Sequence, residues 1–216
     1  MTVPRFMSVV IDVDSTLCGI EGIDWLAARR APRVAHEIAR LTERAMAGEI
    51  SLDSIYGSRL DLVRPTAAEV EQLGQAYIEA LAPGAREALS RMRGEGVALA
   101  LVSGGIRQAI LPMALELGFS AESVHAVSLS FDATGAYRAY NEESPLTNQR
   151  GKKAVIADLG LPRPLLAVGD GATDAAMRES ADAFAAFTGF ARREAVVRSA
   201  DYVVSSFDHL TRLVLP

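Results

Sequence analysis

Short runs of consecutive apolar residues recur along the chain: FMSVVID at 6–12, VALALVS at 97–103 and PLLAVGD at 164–170, followed by the shorter ADAFAAF and DYVVS. The first three are continuous rather than alternating, the pattern of strands covered on both faces of a parallel sheet. Helical patterns lie between and after them in GAREALSRMRGEG, IRQAILPMALELG, GKKAVIADLG and DAAMRESA. Strands alternating with helices of about ten residues predict an α/β domain with a doubly wound parallel sheet.

Residues 18–82 break that rhythm. IEGIDWLAARR, PRVAHEIARLTERAMAG, SLDSIYGSRLDLV and PTAAEVEQLGQAYIEALA carry apolar residues at i, i+3, i+4 spacing, punctuated by Pro32, Gly48, Ser51, Pro65 and Thr66, and they read as successive helices. The expected division is a core of 1–17 and 83–216 with a helical module at 18–82 inserted after the first strand. A second irregularity, VHAVSLSFDATGAYRAYN at 124–141, alternates on either side of Asp-Ala-Thr-Gly and predicts a hairpin.

Composition narrows the class. Half of the 216 residues are hydrophobic and 23% are charged, enough for one large domain or one domain with a smaller insertion. The net charge of -5 gives no general attraction to nucleic acid or to an anionic membrane. Cys18 is the single cysteine, which excludes an intramolecular disulfide and a cysteine-cluster metal site; it reads as a small buried residue. The apolar run near the start breaks at Asp12, unlike a signal peptide, and no stretch is long and apolar enough to span a bilayer. A cytoplasmic protein, monomeric or homodimeric, is the expectation.

The chemistry starts from VVIDVDSTL at 9–17, where an apolar strand ends in two aspartates one residue apart. Asp and Ser are ordinary turn formers, but two carboxylates at the end of a core strand each cost several kcal/mol to desolvate unless something compensates. In a parallel α/β sheet, ligands sit at the carboxyl ends of the strands. Three polar clusters fall at such ends: Asp12-Val-Asp14-Ser-Thr, Ser103-Gly-Gly105 and Gly169-Asp-Gly-Ala-Thr-Asp174, with Lys152 near the start of the helix before the third strand.

Alone, Ser-Gly-Gly is a routine turn, Lys152 a solvated helix lysine, and GDGATD a fragment of a dinucleotide fingerprint in the wrong βα turn. Together, Asp12, Asp14, Asp170 and Asp174 would gather about four negative charges against one lysine and fractional helix-end charges of roughly +0.5 each. Either some are protonated or a divalent cation is bound, and an all-oxygen donor set favours Mg²⁺. Lys152, the Ser103 hydroxyl and the backbone N–H groups of Gly104 and Gly105 would then cradle a phosphate. Residues i and i+2 of an extended chain point the same way. One carboxylate of DVD could therefore attack phosphorus while the other moves protons, help typically worth about 10² to 10⁴ in rate.

DVDST, LVSGG, the lysine before the third strand and GDGATD, in that order, resemble the haloacid-dehalogenase superfamily of Mg²⁺-dependent phosphatases. Within it the chain is similar to the phosphoserine phosphatase family over nearly its whole length, through EGIDWLA, RAMAG, SRLDLVRP and GDGATDAAMRESADAFAAF. The resemblance implies Asp12 as nucleophile and Asp14 as general acid and base. It implies Mg²⁺ held by the Asp12 carboxylate, the Asp14 carbonyl and Asp170, with Asp174 supporting, and phosphate bound by Ser103, Gly104 and Lys152. The helical insertion becomes a cap that closes over substrate. In it Glu21 would meet the substrate ammonium and Arg59 its carboxylate, a bidentate match; Met46 and Thr173 would be further substrate neighbours. The implied activity is dephosphorylation of O-phospho-L-serine, a step of serine biosynthesis.

Departures from the family pattern bear on the substrate. Ala126-Val-Ser-Leu129 replaces Ala-Asn-x-Leu, and Leu52 stands where several members carry an aromatic. Phosphohomoserine, phosphoethanolamine or another small phosphomonoester would use the same core. A receiver-type phosphoacceptor domain also clusters aspartates, a hydroxyl and a lysine at strand ends, but needs about half this length and no cap. A dinucleotide-binding oxidoreductase and a serine hydrolase fit less well. GDGATD is misplaced for the first; for the second, Ser103 lacks the G-x-S-x-G frame and His36, His125 and His209 carry no motif.

Overall fold

The computed structural model describes residues 3–215. After β1 (Ser8–Ile11) come the helices α1 (Gly22–Ala27), α2 (Pro32–Met46), α3 (Tyr56–Val63) and α4 (Ala67–Glu79), then α5 (Ala85–Gly94). The chain continues through β2 (Ala98–Ile106), α6 (Arg107–Glu116), β3 (Val124–Val127), β4 (Leu129–Phe131), β5 (Tyr137–Tyr140), α7 (Gly151–Asp158) and β6 (Leu165–Gly169). It finishes with α8 (Ala172–Ala175), β7 (Ala183–Phe187), α9 (Glu194–Ser199), β8 (Tyr202–Val204) and α10 (Phe207–Val214).

Among the described residues, six strands form one sheet in the order β3-β2-β1-β6-β7-β8, and every pairing in it is parallel. β1, β6 and β7 are buried along their whole length, as continuous apolar runs require. Strand order reverses between β1 and β6, which opens a crevice at their carboxyl ends. Ile11 lies opposite both Leu101 and Val168, so Asp12 leaves the sheet inside that crevice. The doubly wound parallel sheet expected from the sequence is the fold of this chain.

Several elements differ from expectation. The hairpin predicted across 124–141 divides: Val124–Val127 joins the main sheet beside β2, and only β4 and β5 pair as the antiparallel hairpin. Alternation marked both halves, but Val124 and Val127 are buried and extend the core. β2 runs on to Ile106, with its register against β3 shifting between Val102 and Ile106, so Ser103-Gly-Gly lies within an irregular strand end rather than after it. The segment 51–63 is a 3-10 turn at Leu52–Ser54 followed by α3, and DAAMRESA is the end of α8 followed by a 3-10 turn at Ala176–Glu179.

The helices between β1 and α5 are set by their ends. Pro32 opens α2, where a missing N–H leaves nothing unpaired. α3 stops at Arg64, in the left-handed region at φ 41, just before Pro65. α4 begins with a capping box: Glu69 N donates to Thr66 Oγ1 at 3.2 Å and Thr66 N donates to Glu69 Oε2 at 2.8 Å. The two passes of chain that join these helices to the sheet lie side by side. Gly19 N donates to Ala80 O at 2.8 Å and Ala82 N to Leu17 O at 2.9 Å, around an antiparallel bridge between Cys18 and Leu81. Among the described residues no helix is long and apolar enough to cross a membrane.

Candidate active site

The chain turns tightly after β1. Leu17 N donates to Asp12 O at 3.3 Å and Cys18 N to Val13 O at 2.9 Å, and Ser15 sits at φ 53, a region uncommon for a residue with a Cβ. Val13 is buried in the core while Asp12 and Asp14 line one cavity. The turn and the paired carboxylates are thus the same feature.

Ser103, Gly104, Lys152 and Thr173 join them on the sheet side of this cavity, and Glu21, Met46, Leu52, Tyr56 and Arg59 form its helical side. Asp170 and Asp174 lie behind Asp12. Asp12, Asp170 and Asp174 each present a carboxylate oxygen within 4.8 Å of the others, and all three are buried. Lys152 Nζ donates to Asp12 Oδ1 and Asp174 Oδ1, each at 2.6 Å. The other Asp174 oxygen accepts from Asp170 N at 3.1 Å and Gly171 N at 2.9 Å. A Cβ at Gly169 would collide with that carboxylate, so the first glycine of GDG is a clearance for Asp174.

Burial, with Asp174 next to it, holds Asp12 well above the usual carboxylate range, and the same two causes push Asp170 up to about 7. Burial opposes the charge on Lys152, yet Asp12 and Asp174 keep its ammonium above its ordinary value. A second cation, absent from the sequence-based charge count, meets the cluster from the loop after β7. Arg193 forms an ion pair with Asp170, and its Nη2 reaches Glu43 of α2 at 3.3 Å. One of two adjacent arginines in a polar loop, it carries no motif that could have marked it.

On the helical side, Glu21 Oε1 accepts from Ser15 Oγ at 2.6 Å; burial, with Asp14 and Asp170 nearby, pushes Glu21 up to about 8. Arg59 is 5% exposed and donates from Nη1 to Thr42 Oγ1 at 2.8 Å, while its Nε is buried without a partner. Tyr56 of α3 donates to Gly104 O at 2.8 Å, joining the two sides. The cradle expected from two free backbone amides needs one correction: Gly105 N donates to Ser103 Oγ at 2.9 Å, because the irregular end of β2 folds the Ser103 hydroxyl back onto it. Tyr77, which no motif marked, donates to Asp14 Oδ1 at 2.5 Å.

The model of one protein family, haloacid dehalogenase-like hydrolase, matches residues 6–182, from the strand that carries Asp12 to beyond Asp174. The chain belongs to the haloacid dehalogenase-like hydrolases. Among curated relatives of this hydrolase, the chloroplastic phosphoserine phosphatase of Arabidopsis thaliana is 34% identical over 208 residues, covering 94% of this chain and 70% of that one. The phosphoserine phosphatase of Homo sapiens is 34% identical over 206 residues, covering 94% and 91%. A crystal structure of a phosphoserine phosphohydrolase-like protein from Francisella tularensis superposes with a TM-score of 0.88 at 24% identity, over 95% of this chain and 98% of that one. A structure described as a phospho-aspartyl intermediate analogue of phosphoserine phosphatase gives 0.82 at 24% identity, over 96% and 98%. The fold is shared with both, and the hydrolase is an enzyme of the phosphoserine phosphatase-like kind.

The buried aspartates of this hydrolase suit a hard divalent cation. Three carboxylates converge with no nitrogen or sulfur donor among them, and crowding has already raised two of them, a strain that added positive charge would relieve.

Proposed function

We propose that this hydrolase releases phosphate from O-phospho-L-serine through an aspartyl phosphate on Asp12, with residues 18–82 acting as a cap over a core of 1–17 and 83–216. The observation that carries this reading is the charge layout of a single cavity. Asp12, Asp14, Lys152 and Ser103 lie on the sheet side, with a carboxylate, Glu21, and a guanidinium, Arg59, across from them. That layout complements a molecule bearing a phosphate at one end and both an ammonium and a carboxylate at the other.

Lys152, Ser103 and the Gly104 backbone bind the phosphate oxygens. Asp12 attacks phosphorus; its bond to phosphorus forms as the bond to the serine oxygen breaks, and Asp14 gives that oxygen its proton. Serine leaves, and Asp14, now ionised, takes a proton from the water that attacks phosphorus and frees Asp12. Asp12, the Asp14 carbonyl and Asp170 would hold Mg²⁺, with Asp174 supporting them, and its charge would offset that of the phosphoryl group. Glu21 takes the ammonium, which favours its ionised form, and the unpaired Arg59 Nε supplies a donor for the carboxylate. Met46 and Thr173 complete the walls.

Phosphate release from L-phosphoserine, phosphohomoserine, phosphothreonine, phosphoethanolamine and an aryl phosphate, each with Mg²⁺ and with a chelator, tests the proposal. L-Phosphoserine should give the highest kcat/KM, and chelation should stop turnover reversibly. Preference for phosphoethanolamine would overturn the substrate, full activity of metal-free enzyme the cation, and stoichiometric phosphorylation without turnover the hydrolysis.

A further inference from the structure

Asp14 is held by two donors, one on each carboxylate oxygen. The Tyr77 hydroxyl donates to Oδ1 at 2.5 Å and the Gly22 amide to Oδ2 at 3.2 Å. The terminal torsion of an aspartate is broad and roughly two-fold, so nothing intrinsic to Asp14 fixes the plane in which it presents a proton. Donors on both oxygens do fix it. Tyr77 is suited to this: a tyrosine phenol ordinarily keeps its proton at neutral pH, burial and the neighbouring Asp14 hold it more firmly still, and its side chain has no exposure at all, so no water competes for the bond.

The surroundings are shaped to the hydroxyl. A Cβ at position 22 would collide with Tyr77 Oη, so the glycine that opens α1 leaves room for the phenol and lends the second donor. The Tyr77 carbonyl in turn accepts from Cys18 Sγ at 3.4 Å, which ties α4 to the turn carrying Asp14. The contact crosses from the last helix of the inserted segment to the strand-end turn, 63 residues apart in sequence.

We propose that Tyr77 is a positioning residue for the proton transfers of this enzyme, orienting Asp14 toward the leaving oxygen. The inference rests on the reading of Asp14 as general acid and base, and its consequence depends on the leaving group. An alkoxide needs a proton as it departs, whereas p-nitrophenolate does not. kcat/KM covers the steps up to departure of the alcohol, so loss of the hydroxyl should lower it for alkyl phosphates and spare aryl ones.

The experiment compares wild type, Tyr77→Phe and Gly22→Ala, the last inserting a methyl where the hydroxyl sits, on L-phosphoserine and p-nitrophenyl phosphate. In both variants kcat/KM for phosphoserine should fall by about 10- to 100-fold, part of what an acid–base residue typically supplies. That for p-nitrophenyl phosphate should change by less than about threefold, within the same principle. In an Asp14→Asn background, Tyr77→Phe should have no further effect on phosphoserine. Equal losses on the two substrates, no loss, or additive losses with Asp14→Asn would overturn the role of Tyr77, as would failure of both variants to fold. An inactive wild type would overturn the parent reading and this inference with it.

Discussion

Arg193 is ion-paired with Asp170, so the carboxylate just after β6 carries a counter-cation supplied from the loop after β7. The same guanidinium reaches Glu43 on α2. One side chain therefore touches both the acidic cluster and the helical side of the site.

Removing that positive charge should tighten divalent-cation binding. Arg193→Ala is expected to lower the Mg²⁺ dissociation constant by about tenfold, the scale of one unit charge lost nearby in a partly screened site. Calorimetric titration of Mg²⁺ into chelator-stripped protein measures it directly. Weaker binding in the variant would instead mean that Arg193 holds Asp170 in place.

Asp12→Asn separates chemistry from folding. Turnover of phosphoserine should drop by at least about 10³-fold, as expected when a nucleophile is removed. The melting temperature in chelator at neutral pH should not fall. Burial and Asp174 raise the carboxyl of Asp12, so its ionised form disfavours the folded state, and a neutral isostere relieves that while Lys152 keeps Asp174. A lower melting temperature would make Asp12 a net structural contributor.

Arg59→Ala should discriminate between substrates. Its Nε lies buried and unpaired, and loss of a charged hydrogen bond of about 1.5–3 kcal/mol predicts a fall of roughly 10- to 100-fold in kcat/KM for phosphoserine. Phosphoethanolamine, which has no carboxylate, should lose little. Equal losses on both would show that Arg59 organises Thr42 and Asp24 rather than gripping substrate.

The helices between β1 and α5 should show a pH signature of their own. Arg30 binds both oxygens of Glu69, at 2.6 and 2.7 Å, and holds that carboxyl down to about 2. A depressed carboxyl contributes stability that is complete above its unfolded value, near 4.3, and is lost as pH falls toward 2. Glu69→Gln should therefore cost about 1 kcal/mol at pH 7, allowing for solvent screening, since the glutamine amide oxygen keeps the capping box. Urea denaturation should find the difference fading below about pH 4, where the carboxyl of the unfolded chain becomes protonated. A gap constant with pH would point to packing alone.

What the sequence makes legible here follows from locality. DVDST and GDGATD are contiguous, and each is a strand end plus the turn it forces, so the order of the motifs along the chain conveys their convergence at one sheet edge. Lys152 was legible only because it stands in order with them. Arg193 and Tyr77 were not legible, because each reaches the site across the fold: Arg193 meets Asp170 from 23 residues away and Tyr77 meets Asp14 from 63. The split of 124–141 was hidden for a related reason. Alternation reports one buried face and is silent about which sheet that face completes.

The paired passes at Leu17–Gly19 and Ala80–Ala82 give the molecule a modular seam. Departure and return are clasped to each other beside the sheet, so the covalent passage between β1 and the helices that follow it has one fixed width. The chain between those two passes can therefore differ in length without altering the span the core must bridge. Under the proposed division into core and cap, the residues that face the substrate can then vary while Asp12 and Lys152, paired on the sheet side, keep their places.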